Sequence, residues 1–116
     1  MTEYEKNFQI VKEALETYRD TPPDDGKRRF VDWLMKKSLK DAQNDPEGKK
    51  YHNLIVLRYI SSTKRAKKPI CDALHICRAN KIIHKGVEIS SFDAVTYNAI
   101  DRLLVLAFGF GGIDWD

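Results

Sequence analysis

The sequence predicts an all-α fold, one compact domain of about six helices that contains a helix-turn-helix. Three observations carry that expectation. Apolar residues recur at steps of three and four along several segments, helix start and stop residues punctuate the chain, and sustained period-two alternation is absent. The charge is also concentrated: residues 58 to 85 hold Arg58, Lys64, Arg65, Lys67, Lys68, Arg78, Lys81 and Lys85 against Asp72 alone, a local net of +7 in a chain whose formal net charge is +3. The remainder is acidic by comparison, at −2 over residues 1–47 and −4 over residues 86–116.

Taken in order, Tyr4, Phe8, Val11, Leu15 and Tyr18 lie on one stripe of a first helix over residues 3 to 19, with Thr2 as N-cap. The turn formers of residues 20 to 26 break it. A second helix over residues 27 to 43 presents Phe30, Trp33, Leu34 and Met35, and Asn44-Asp45-Pro46 ends it. Pro46 then opens a third helix with Asp45 as cap, since the missing proline amide is not needed there. That helix carries Tyr51, Leu54, Ile55, Leu57 and Ile60 to the loop beginning at Ser61. Pro69 starts a short fourth helix, and a fifth runs over residues 77 to 85 up to Gly86. Ser90 or Ser91 caps the last helix, Asp93 sits in its first turn, and Gly109 stops it. The β-branched run from Ile82 to Ile89 is also compatible with a short strand pair, an alternative that periodicity leaves open.

With 116 residues, 32% charged and 42% hydrophobic, the chain has the composition of an ordinary soluble domain that needs no disulfide or metal to fold. A single domain over residues 1–116 is expected, with an N-terminal helical part (1–45), a helix-turn-helix unit (46–89) and a C-terminal hydrophobic helix and tail (90–116). The N-terminus lacks the apolar core of a signal peptide, and the longest strongly apolar stretch, residues 103 to 108, is too short to span a bilayer. A cytoplasmic protein with no membrane association is expected. Cys71 and Cys77, with His75 between them, fit neither a disulfide framework nor a completed zinc site, so no metal is expected. No nucleophile–base pair, carboxylate constellation or phosphate loop is legible, which argues against an enzyme and against a cofactor.

The helix-turn-helix reading rests on residues 54 to 87. Ile70, Cys71 or Ala73, Leu74, Ile76 and Ile82 would clamp the two short helices at a fixed angle, so that the second could enter a major groove. Arg78, Asn80, Lys81 and His84 would face outward as base contacts, arginine suiting guanine and asparagine suiting adenine. Lys64, Arg65, Lys67, Lys68 and Lys85 are the expected phosphate contacts. Cations ahead of a helix oppose its dipole, and an external anion at the free amides resolves that conflict.

The stretch LRYISSTKRAKKPICDALHICRANKIIHKGV resembles region 4 of bacterial sigma factors and the small phage regulators built on that unit, with Ile70, Cys71, Leu74 and Ile76-Cys77 as the core of the turn. The ending TYNAIDRLLVLAFGFGGID is similar to that of the ArpU- and RinA-type late-gene regulators of phages of Gram-positive bacteria. Together these cover roughly the C-terminal 65 residues, and they imply a sigma region 4-like helix-turn-helix, double-stranded DNA as partner and contact with host RNA polymerase. The N-terminal helices would then be a variable arm. The chain departs from the pattern where Cys77 replaces a capping Ser or Thr, a change worth about 1 kcal/mol, and where roughly ten residues separate the recognition helix from the final apolar run.

Apolar residues on more than one face of the last helix allow two arrangements. Ile100, Leu103, Leu104 and Ala107 could form a homodimer interface that presents paired half-sites, or the helix could be central and wrapped by the others. Trp33 is expected in the core, His52 and His84 on the surface, and Trp115 docked on the domain or on polymerase. The leading functional expectation is therefore a DNA-binding transcriptional regulator of phage or prophage origin. Competing with it are a protein-binding inhibitor or adaptor that turns the same basic face to an acidic partner, and a DNA-packaging subunit.

Overall fold

Local capping sets most of the element boundaries. The computed structural model describes residues 2–76, 81–84 and 86–109. Helix α1 (Glu3–Glu16) begins where the Thr2 hydroxyl accepts the Glu5 amide at 3.1 Å. It ends earlier than its apolar stripe predicts: Thr17 Oγ1 donates back to the Glu13 carbonyl at 2.9 Å, and a single 3-10 turn, Tyr18–Asp20, completes the stripe. Asp25 caps α2 (Gly26–Asn44) by accepting the Lys27 amide at 2.8 Å. Asp45 caps α3 (Pro46–Ile55) in the same way through the Glu47 amide at 2.9 Å, with Pro46 in the first turn.

Beyond Ile55 the third helix does not continue as an α-helix to Ile60. It widens into a π-helical turn, Val56–Ile60, which the Ser61 amide closes on the Val56 carbonyl at 2.9 Å. The extra residue per turn rotates Tyr59 into the core, where it is 7% exposed. Helix α4 (Lys67–Leu74) follows and ends with His75 in the left-handed region (φ 56°), the Ile76 amide bonding to the Cys71 carbonyl at 2.8 Å. This is a Schellman-type stop with histidine where glycine is usual.

The second helix of the motif, expected over residues 77–85, is corrected over residues 81–84, the part of it that lies within the described residues. Residues 81–84 form strand β1 (Lys81–His84), paired antiparallel with β2 (Val87–Ser90) in the register Lys81↔Ser90 to His84↔Val87. Ile82, Ile83, Val87 and Ile89 favour extended backbone, and Gly86 supplies φ 81° in the connection. Ile82 is accordingly exposed, outside the clamp assigned to it, whereas Ile70, Cys71 and Ile76 are buried as expected. Ser90 then caps α5 (Ser91–Phe108) through the Asp93 amide at 3.2 Å, and Gly109 ends that helix at φ 70°. Among the described residues the fold is thus mostly helical, with five α-helices and one small hairpin, rather than all-α with six.

A single core joins every helix. Val11 and Leu15 of α1, Val31 and Leu34 of α2, Leu54 and Ile55 of α3, and Ile70 and Cys71 of α4 meet Ile100, Leu103 and Leu104 of α5. Helix α5 is therefore the central one. Ile100, Leu103 and Leu104 are at most 2% exposed inside the chain's own core, which removes them from the dimer interface expected for them; Ala107 is half-buried at its edge. Helices α1 and α2 are likewise part of this core and not an appended arm.

Two further expectations change. Trp33 is 43% exposed, stacked on Phe30 with Lys37 over its ring, because the axis of α2 that faces the core runs through Val31, Leu34 and Ser38. His52 is half-buried, its Nδ1 2.8 Å from Ser38 Oγ, and burial lowers its pKa. Nearby, Arg102 of α5 grips Asp41 at 2.6 and 3.0 Å and Asp45 at 3.0 Å, fastening three helices together. Gly48 makes room for that clamp, since a Cβ there would lie 2.5 Å from Asp41 Oδ2.

Candidate phosphate-binding face

Four of the five expected phosphate contacts come together at the start of α4. Lys64 and Arg65 lie in the loop after the π-turn, Lys67 and Lys68 occupy the first turn of α4, and all four are exposed. The N-cap, Ala66, offers no side-chain acceptor, and the first turn holds no acid. Four cations thus surround an end of a helix that already carries partial positive charge. Among the described residues only Lys68 of the four has a carboxylate partner, Asp72 at 2.7 Å, and that pair is largely solvent-exposed. Lys85 lies outside the described residues.

The expected base contacts fare differently. Arg78 and Asn80 lie outside the described residues, as does Cys77 of the imagined metal group. Lys81 stands on β1, exposed and 3.4 Å from Glu88 of β2, and His84 ends the same strand. Neither belongs to a recognition helix.

The structure adds residues that sequence reasoning did not join to this face. A cleft of about 270 Å³ opens beside the α4 start, lined by Glu16, Arg19, Arg58, Tyr59, Lys64, Arg65, Lys67, Ile70 and Phe92. Its floor is rigid. Arg19 donates to the Ser61 carbonyl at 2.8 Å and the Arg58 carbonyl at 3.0 Å, while its Nη2 is buried without a hydrogen-bond partner. Arg58 donates to Thr96 Oγ1 at 2.7 Å and Asp93 Oδ1 at 3.1 Å, with its guanidinium 4.4 Å from the centre of the Phe92 ring. Burial raises the Tyr59 hydroxyl to about pKa 12, so that ring is neutral at any physiological pH. Lys67 stands over Phe92 at 5.6 Å.

The π-turn creates this geometry. It places Arg58 against α5 and leaves the carbonyls of Arg58 and Ser61 for Arg19, which is separated from Ser61 by 42 residues in sequence. Helices interrupted in this way often mark functional sites. The sequence signal for Arg19 is only that it is one of nine basic residues in an N-terminal part of net charge −2, too little to place it here. Chemically the face supplies hydrogen-bonded and solvent-exposed cationic donors, with one carboxylate in its lining, Glu16, which sits 3.8 Å from Lys12. Comparison with protein-family models, curated proteins and solved structures finds no match for this chain. Among the described residues no helix is long and apolar enough to cross a membrane, and no group of three ligating side chains could hold a metal.

Proposed function

We propose that the chain is a DNA-binding protein, a transcriptional regulator of the phage or prophage type that its C-terminal half resembles. The observation that carries this is the cluster of Lys64, Arg65, Lys67 and Lys68 around the uncapped start of α4. Such a cluster is stabilised by polyanionic phosphate, and a duplex backbone supplies it at a spacing that several of these side chains can reach together. Helix α4 and the hairpin, with Lys81, would lie against the duplex. Contact with host RNA polymerase would fall to the acidic outer surface of α1.

The competing reading is a protein-binding adaptor. It is favoured by the hairpin, where Ile83 and Val87, on its two faces, are 69% and 61% exposed, apolar side chains that a protein partner could cover. Fluorescence anisotropy of a labelled duplex at several salt concentrations separates the two. The DNA reading expects binding that weakens steeply with salt, and a slope that falls by about one unit for each of Lys64, Arg65, Lys67 and Lys68 replaced by alanine. No affinity at low salt overturns it.

A further inference from the structure

We infer that the cleft between the Tyr18–Asp20 turn, the π-turn and the α4 start is a seat for one terminal phosphate group, a phosphomonoester at the end of a nucleic-acid strand. This rests on the DNA-binding reading and narrows it. Arg58 is met by Asp93, and Glu16 by Lys12, so among the described residues the cations of the cleft left without a carboxylate are Arg19, Lys64, Arg65 and Lys67. That excess suits a dianion better than the single charge of an internal phosphodiester. Shape points the same way. The cleft is bounded by three separate segments, with Arg19, Arg58 and Phe92 lining it beside the loop cations, so it receives a group that projects from the end of a strand more readily than a backbone running across it. Its volume of about 270 Å³ falls below the roughly 300–1,000 Å³ of sites that enclose a whole small molecule, leaving room for a phosphate and its sugar with the rest of the ligand outside. Arg19, which lines the cleft, gives its Nε and Nη1 to backbone carbonyls and keeps its buried Nη2 without a hydrogen-bond partner, so donor capacity remains on this residue.

Matched duplexes with 5′-phosphate or 5′-hydroxyl ends, together with a 5′-mononucleotide as a separate probe, provide the test. The phosphorylated duplex should bind about tenfold more tightly, the scale of one to two charge-assisted hydrogen bonds. Because Arg19 holds the backbone and its removal could unfold the chain, the informative variants are the rim substitutions Arg65→Ala and Lys67→Ala, which should abolish the preference. Lys68→Ala, outside the cleft, should weaken both duplexes alike. Equal affinity for the two ends overturns the inference while leaving salt-dependent duplex binding intact. A preference that survives Arg65→Ala and Lys67→Ala also overturns it, because the phosphate is then held elsewhere. Mononucleotide binding that these variants abolish, without duplex affinity, upholds the seat and overturns the DNA reading instead.

Discussion

The bundle of α1, α2, α3 and α5 and the segment from Lys64 to the hairpin are built on opposite principles. In the bundle, side chains from distant parts of the sequence are enclosed on all sides: Val11, Leu34, Leu54 and Ile100 are each fully buried. Among the described residues of the basic segment only Ile70, Cys71 and Ile76 are buried, while Lys64, Arg65, Lys67, Lys68, Ile82 and Ile83 are exposed. The bundle carries stability and the basic segment carries charge. The Arg19 and Arg58 hydrogen bonds join them, tying the Tyr18–Asp20 turn and α5 to the π-turn that leads into the loop.

This division is breakable at defined points. Leu103→Ala should cost about 3 kcal/mol, because it opens a cavity in a layer shared by all the bundle helices, and a chemical denaturation midpoint measures it. Next comes Arg102→Ala, at about 2 kcal/mol: it strips the partner from Asp41, whose side chain is only 16% exposed. A double-mutant cycle with Asp41→Ala isolates that pair. Neither change should alter the charge of the basic face.

Asp101 sharpens the comparison in the opposite direction. Its Oδ1 is buried without a hydrogen-bond partner, and burial pushes its pKa up from 3.8 to about 6. The folded chain then binds this proton more tightly than the unfolded chain does. The contribution of this group is therefore fully present below about pH 4 and is lost as pH rises through about 6. Asp101→Asn should stabilise the protein by roughly 1 kcal/mol at pH 7, discounted for partial solvent screening, with the gain vanishing near pH 4 in thermal melts. The smallest effect belongs to the hairpin: Ile83→Thr should change stability by less than about 0.5 kcal/mol, because that side chain is 69% exposed. A loss comparable to that of Leu103→Ala would erase the distinction between the two regions.

Where structure follows from neighbours in sequence, the chain was readable. Thr2, Asp45 with Pro46, Ser90 and Gly109 all mark helix ends, because capping is settled within three residues. The run around Ile82 and Ile83 was not resolved by pattern, since a short apolar segment suits either a helix or a strand and the outcome depends on whether Gly86 makes the tight connection. Trp33 misled for a related reason: positions 30, 33 and 34 share a stripe, but Val31, Leu34 and Ser38 define the face that meets α3 and α5. The two-sided apolarity of α5 reflects a central helix, which periodicity could not separate from a dimer interface. On the candidate face, Lys64, Arg65, Lys67 and Lys68 were legible as a charge run. Arg19 was not, because only the π-turn and the approach of two distant segments bring it there.

The central claim, that the basic segment and not the bundle meets the ligand, is tested most directly by amide NMR during titration with a short 5′-phosphorylated duplex at low salt. Shifts should concentrate at Arg19, residues 58–68 and Lys81, with Ile10, Trp33 and Leu39 on the exposed surface of α1 and α2 unmoved. Shifts centred on those three residues, or none at any duplex concentration, would contradict it.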